Sequence, residues 1–231
     1  MRFNGISKDY LRVNMSLFRP PTAPLEIITD TKLKGGERVK GKRLSALHLD
    51  VPIVIRSEKR IELLKHELSN WLVHAEPKKL VFLDTPNRYY LAYYNGMVLE
   101  EKYKYAKGVI SFYMPEGYRF GDTQSREIQT SFGNLMNAGQ LATSWSTLTI
   151  FKNNASSFVF ENDKGEKITL NHAFEVNDRL ELDYAKRLIK LNGQPRMALL
   201  SLDSRWFMLQ PGANRLRASH VTTVSYTETY Y

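Results

Sequence analysis

Apolar and polar residues alternate from His48 to Ile55, with Leu49, Val51, Ile53 and Ile55 on one side and His48, Asp50 and Pro52 on the other. A period of two predicts a half-buried β-strand. Pro52 has no N–H to give, which moves that strand toward a sheet edge or a bulge. The period then lengthens. Ile61, Leu64, Leu68, Trp71 and Leu72 fall at i, i+3, i+7, i+10 and i+11, one face of a helix. Ser57 offers an N-cap, Glu58 and Glu62 suit the positive end of the helix, and Pro77 closes the pattern, so a helix is predicted over about 58–74.

From there the pattern is β. Leu80–Leu83 faces Tyr89–Tyr94 across the turn sequence Asp84-Thr85-Pro86-Asn87. Asn95-Gly96 is a two-residue hairpin signal into Met97–Leu99, and Gly108–Tyr113 reads as a further strand. Eight tyrosines lie between 89 and 118, and cross-strand pairing is the ordinary reason for such a run. Residues 114–125 turn polar, which sets a domain boundary there and divides the chain into 1–125 and 126–231. The second part predicts strands at Glu127–Phe132, Ser144–Phe151, Ser157–Phe160, Lys167–Leu170, Arg179–Tyr184, Arg187–Leu191, Met197–Leu202, Trp206–Leu209, Arg215–Ala218 and Val221–Thr229. Short strands at this spacing argue a β-sandwich.

Residues 20–46 fit neither period. Pro20, Pro21 and Pro24 open the segment, Gly35, Gly36 and Gly41 lie inside it, and Leu25–Thr29 can form one short strand. A connection this long in a compact domain is usually functional or disordered, and we read it as an arm reaching away from the domain body. Its second half carries Lys32, Lys34, Arg38, Lys40, Lys42 and Arg43 against Glu37 alone. The whole chain of 231 residues has a formal charge of +9, of which +7 falls in 1–125. A positive balance suits nucleic acid, anionic lipid or an acidic protein partner, but no zinc finger or aromatic RNA-binding signature accompanies it.

Composition removes several classes. With no cysteine there is no disulfide, thiol catalysis or Cys-ligated metal. Tyr (13), Phe (11) and Trp (3) supply ample core, which excludes global disorder. No apolar stretch is long enough for a membrane helix, and the opening MRFNGISKDYLRV lacks the apolar centre of a secretory signal. Neither a GxSxG elbow nor a phosphate-binding glycine loop occurs. His66 and His74 stand too far apart for a metal pair on a helix, and Glu100-Glu101 alternate across a strand, so neither supports catalysis. No catalytic residue, metal or cofactor is expected.

Several short motifs, in order, resemble the distal tail protein (Dit) family of siphophages and prophages of Gram-positive hosts. They are Phe3-Asn4-Gly5 with Leu11-Arg12-Val13, the arm from Arg19-Pro20-Pro21 to Lys42-Arg43, and the sequence strand, helix (Ser57–His74), Tyr-rich hairpin. Asn137-Ala138-Gly139, Gly165–Ile168, Asp178–Asp183, Ile189–Gly193, Ser204–Phe207 and Leu209–Asn214 continue the series, while Gln140–Ser144 stands where the family more often has prolines. The resemblance implies a mainly β protein, with an N-terminal β-sandwich carrying one α-helix and an extended arm, followed by a galectin-like or carbohydrate-module-like β-sandwich. It implies a homohexameric ring at the virion tail tip, made in the host bacterial cytoplasm. The expected partners are further copies of itself, the tail tube protein, the tape measure protein, a tail-associated lysin or fibre protein, and receptor-binding or baseplate proteins.

A ring needs two different patches per subunit, and ordering an arm on a neighbour needs apolar anchors to offset the lost backbone entropy. Pro20, Pro21, Pro24, Leu25, Ile27, Ile28, Leu33, Lys40, Lys42 and Arg43 are the expected interface residues, with Leu25, Ile27, Ile28 and Leu33 as anchors and the cations meeting acids of the next subunit. Lys40, Lys42 and Arg43 are expected at the interface or outside rather than in a lumen that passes DNA, where phosphate contacts would retard it. Two other readings stay open. One is a carbohydrate-binding module for host-wall glycan, with Trp145 as the candidate sugar contact and Trp206 as a core residue. The other is a basic nucleic-acid-binding protein.

Overall fold

A computed structural model describes all 231 residues. The chain forms two compact units, Met1–Phe120 with Tyr231, and Gly121–Tyr230. The division falls at the start of a strand rather than at residue 125.

The first unit contains β1 (Arg2–Phe3), β2 (Leu11–Val13), β3 (Leu25–Thr31), β4 (Glu37–Leu44), β5 (Leu47–Arg56), α1 (Ile61–Leu72), β6 (Lys78–Val81), β7 (Tyr89–Lys102), β8 (Tyr105–Met114) and the start of β9 (Arg119–Ile128). β5 alternates as its sequence says, with Leu47, Leu49, Val51, Ile53 and Ile55 all buried. It runs antiparallel between β8 and β2, and β7 completes that side of the sheet. Pro52 is tolerated because β2 pairs only with Ile53–Ile55. The Pro52 carbonyl accepts from the Asn14 N–H at 2.8 Å on that side, so its missing N–H also faces the side where β2 has ended. β7 has three partners, pairing through Tyr89–Ala92 with β6, through Tyr93–Lys102 with β8 and at Tyr89 with Phe120 of β9.

The five apolar residues of the helical pattern are the buried residues of α1. They pack with Phe3, Leu80, Phe82, Ile110 and Phe112 in one core. The Trp71 indole donates to the Phe3 carbonyl at 3.1 Å, which ties the N-terminus to the helix. Ser57 is not the N-cap. The helix starts at Ile61 with Arg60 in the cap position, and the Ser57 hydroxyl accepts instead from the Lys59 N–H at 3.0 Å, one turn upstream.

Asn95-Gly96 does not reverse the chain. Tyr94 pairs with Phe112 and Gly96 with Ser111, so the ladder continues on the same partner and Asn95 is the extra residue of a β-bulge. A hairpin needs the chain to leave its partner, and here β8 holds both sides of the dipeptide. Asn4-Gly5 does reverse the chain, with φ of 50° and 76° and mutual Phe3–Ile6 backbone bonds of 3.0 Å.

The second unit holds the rest of β9, then β10 (Gly133–Asn137), β11 (Trp145–Ile150), β12 (Ala155–Asn162), β13 (Lys167–Phe174), β14 (Arg179–Asp183), β15 (Leu188–Leu191), β16 (Gln194–Pro195), a 3-10 turn at Met197–Leu199, β17 (Gly212–Ala218) and β18 (Thr222–Tyr230). One sheet has the order β16-β15-β14-β11-β18-β9 and the other β10-β17-β12-β13. Between them lies a core rich in phenylalanine, in which Phe151 stacks on Phe174 at 4.3 Å. This is the two-sheet sandwich that the short-strand spacing predicts. Three predicted strands change. Glu127–Phe132 gives way to the end of β9 and a turn before β10; Met197–Leu202 becomes the 3-10 turn; Trp206–Leu209 makes only one bridge, Leu209 to Thr143. Asn137 is buried and spends its side chain on backbone, donating to the carbonyls of Leu141, Leu209 and Gln210 and accepting from the Gly139 N–H at 3.0 Å.

Candidate oligomer interface

The segment read as an irregular arm is a β-hairpin. β3 and β4 pair only with each other, and every residue of β3 is exposed. Sequence reasoning saw half of it, because Leu25–Thr29 shows strand propensity while Glu37–Leu44 reads as a charge run. Proline explains the entry, since each fixes φ and withholds an N–H, and so favours extended chain outside a ladder. Arg19 anchors the chain before it. Its guanidinium bonds the Asp84 carboxylate and the Thr85 hydroxyl and lies 4.7 Å over the Phe82 ring. Pro20 and Pro21 thus belong to the tether and Pro24 to the base, where its carbonyl accepts from the Ser45 N–H at 2.8 Å. At the tip the Lys32 N–H donates to the Gly36 carbonyl at 3.0 Å, with Gly35 and Gly36 at φ of 88° and 79°, where a Cβ would be strained.

The register separates the hairpin into two unlike faces, because directly paired residues share a face. Leu25 pairs with Leu44, Ile27 with Lys42, Thr29 with Val39 and Thr31 with Glu37. The opposite face carries the pairs Glu26–Arg43, Ile28–Gly41 and Asp30–Arg38, and a register shift leaves Lys40 as the extra residue of a bulge. One face is therefore apolar with Lys42 in its middle, and the other is charged. On the apolar face Leu25, Ile27 and Val39 are 57%, 56% and 55% exposed. No residue of the hairpin body covers them. Leu33 stands fully exposed at the tip.

This sorts the expected interface residues. Leu25, Ile27 and Lys42 share the apolar face; Ile28 is on the charged face instead, among ions. Lys40 and Arg43 have partners in the hairpin itself, Asp30 at 2.9 Å and Glu26 at 2.7 Å, so the expectation that they reserve their charge for the next subunit is corrected. The Arg43 hydrogen bond holds the Glu26 carboxyl below its usual range, though both groups stay in water and the pair adds little to stability. Val39 and Leu44 belong to the apolar face and were hidden in the sequence by the lysines and arginines between them.

The candidate glycan contact is corrected too. Trp145 is 3% exposed and stacks on Tyr184 at 3.8 Å, and its indole donates to the Phe207 carbonyl at 3.0 Å. Neither ring face is free for a sugar. Trp145 starts β11, whose alternate residues Thr147 and Thr149 are also buried, so the pleat turns it inward. Trp206 packs partly buried at the edge of the same core. No group of three or more His, Asp or Glu residues is arranged to hold a metal.

Comparison with known proteins places both units. Residues 6–114 match the family model of a phage tail protein RIFT-related domain, and residues 138–230 match that of the siphovirus-type tail component C-terminal domain. The distal tail protein of Bacillus phage SPP1 is 26% identical over 171 residues, covering 71% of this chain and 68% of the relative. The crystal structure of SPP1 Dit, described as a paradigm of the hub adsorption apparatus in phages infecting Gram-positive hosts, aligns over 100% of this chain and 98% of its own at a TM-score of 0.87 and 19% identity. A chain of the phage P2 baseplate in its activated conformation with calcium aligns over 96% of this chain and 91% of its own at a TM-score of 0.50 and 8% identity.

Proposed function

This chain belongs to the siphophage distal tail protein family, and on that premise we propose that six copies close into a ring joining the tail tube to the baseplate or tail fibre. The chain is a structural component of the phage tail and baseplate, not an enzyme. The first unit builds the ring and its hairpin is the element that clasps the next copy. The observation that carries this reading is the amphipathic hairpin. Exposed apolar side chains on a projecting ribbon are costly in water and are accounted for by a partner that covers them. A ring interface is heterologous, so the donor patch must differ from its acceptor. A projecting arm is a donor of that kind.

The partners follow from position in the tail: the tail tube and tape measure proteins on one side, a tail-associated lysin or fibre protein and receptor-binding or baseplate proteins on the other. Sugar recognition by Trp145 has lost its residue, and the internal pairing of Lys40 and Arg43 weakens a phosphate-binding reading of the basic run.

Light scattering after size exclusion tests the ring. Parent protein is expected near 161 kDa, six times the 26.8 kDa chain. Deletion of residues 25–44, with Pro24 joined to Ser45 by a short linker across their existing hydrogen bond, is expected to give smaller species. A parent that stays monomeric at every concentration overturns the reading.

A further inference from the structure

The core side of the sheet β5–β8–β7 is covered by α1 and its neighbours, but the other side is open and unlike an ordinary solvated face. Residues paired across the strands stand in rungs along it. The first rung is His48, Tyr113 and Tyr93, and the second is Asp50, Ser111 and Gly96. Pro52, Val109 and Val98 form the third, and Val54, Lys107 and Glu100 the fourth. The ladder fixes their facing, because Leu49, Val51 and Ile53 on β5 and Ile110 and Phe112 on β8 point into the core. The third rung is wholly apolar, and Val98 is 74% exposed. His48 and Tyr113 touch ring to ring at 5.0 Å, and the Ser111 hydroxyl donates to the Asp50 carboxylate at 2.5 Å. Neither Asp50 nor Lys107 forms an ion pair, although Glu100 stands opposite Lys107 on the ladder.

We infer that this face is the acceptor for the β3–β4 hairpin of a second copy, laid with its base toward the tyrosine rung and its tip toward Lys107. The inference rests on the ring reading and names the surface that completes it. Both ladders repeat every second residue, about 6.6 Å, so their rungs can be matched one to one. Leu25 and Leu44 then meet His48, Tyr113 and Tyr93. Ile27 and Lys42 meet the Asp50 rung. Val39 and Thr29 meet Pro52, Val109 and Val98, and Glu37 meets Lys107.

Charge selects this direction. Laid the other way, with the central apolar rungs still matched, the hairpin sets Glu37 against Asp50. Lys42 is the one cation on the hairpin's apolar face and has no ion-pair partner in its own chain, and Asp50 is the carboxylate its position demands. Width agrees as well, since two strands about 5 Å apart lie within the breadth of three. A ribbon of eight residues is about 26 Å long and about 10 Å across, far below the about 800 Å² per partner of a stable pair. The clasp therefore secures a contact that the bodies also make, as a closed ring provides.

Charge reversal tests the match. Lys42→Glu and Asp50→Lys are each expected to raise the assembly midpoint about tenfold or more, measured as mass against concentration by light scattering, and the double variant is expected to recover most of the loss. Both positions are exposed, and thermal melts of the variants check that folding is kept. A second measurement uses the absence of cysteine. Val39→Cys and Val109→Cys proteins, mixed and treated with a short bis-maleimide, are expected to give a crosslink that neither gives alone. A ring in which the reversals have no effect, or in which the double variant is no better than the singles and no crosslink forms, overturns the acceptor and leaves the ring standing. A parent that never assembles overturns both.

Discussion

Removing the apolar face of the hairpin should separate assembly from folding. Leu25, Ile27 and Val39 are each a little over half exposed in the single chain, so about half of the burial energy of each is still unrealised. Full burial of such a side chain is worth roughly 1.5–3 kcal/mol, which leaves about 1 kcal/mol per residue to be gained on docking. Each copy in a closed ring of six makes one clasp, and six clasps form as six free copies become one particle, a net loss of five. The midpoint concentration therefore shifts by six-fifths of the loss per clasp, or about sevenfold for Ile27→Ala at about tenfold per 1.4 kcal/mol. The triple variant Leu25→Ser, Ile27→Ser, Val39→Ser loses about 3 kcal/mol per clasp and should shift it about 400-fold. The monomer should hold its thermal midpoint within a few degrees, because these side chains belong to neither core and cross-strand contacts are worth about 0.2–1 kcal/mol each. Light scattering over a dilution series reads the first quantity and circular dichroism the second. A triple variant that assembles at the parent concentration would refute the assignment of this face to the interface.

Three further outcomes follow from the same geometry. Gly117→Ala should destabilise the first unit by about 1–3 kcal/mol in urea melts, because its φ is 67° and a Cβ would stand 2.2 Å from the Ser45 carbonyl at the hairpin base; an unchanged midpoint would show that the base yields freely. Trp145→Ala should cost the second unit about 3–5 kcal/mol and leave any glycan signal where it was; selective loss of glycan binding with stability intact would restore the sugar reading. Burial, and then the Glu116 carboxylate, push the Tyr118 hydroxyl up to about 12. The neutral phenol is the form the fold favours, so its contribution is fully present below the ordinary tyrosine value near 10 and is lost as pH rises toward about 12. Tyr118→Phe should accordingly flatten the alkaline limb of the stability curve, and an identical limb in the variant would remove the assignment.

What the sequence made legible was what a local period can encode. The β5 alternation and the five-residue face of α1 survive intact because each is set by burial against one core, and burial is what periodicity records. The errors cluster where a distant partner decides. Asn95-Gly96 and Asn4-Gly5 are the same dipeptide, yet only the second turns the chain, since β8 runs past both sides of the first. Trp206–Leu209 has strand composition but finds only Thr143 to bridge. Trp145 looked like a platform because aromatic residues serve both sugar sites and cores, and only the pleat of β11 says which way it points. In the hairpin the apolar residues Val39 and Leu44 are separated by Lys40, Gly41, Lys42 and Arg43, and the bulge at Lys40 breaks the count of two. A pattern interrupted by one inserted residue cannot be read as a face until the ladder is known.

The basic run then acquires a structural reason that composition could not supply. A two-stranded ribbon with exposed apolar side chains has two free edges, and free edges invite pairing with any other strand. Charged side chains along the edge, lysine above all, and a bulge that twists it are the standard defences. This hairpin carries both: Lys32, Lys34, Arg38, Lys40, Lys42 and Arg43 along the tip and β4, with the bulge at Lys40 itself. The two ion pairs give Lys40 and Arg43 of β4 fixed partners, so these cations oppose edge-to-edge association without turning the apolar face away. A nucleic-acid surface would instead leave its cations unpaired and aimed one way. Here the cation on the apolar face is Lys42, which has no ion-pair partner and which the proposed docking sets against Asp50. On the proposed docking, the same residues that make the chain basic keep the ribbon from pairing indiscriminately, and the apolar face with Lys42 and Glu37 specifies where it binds.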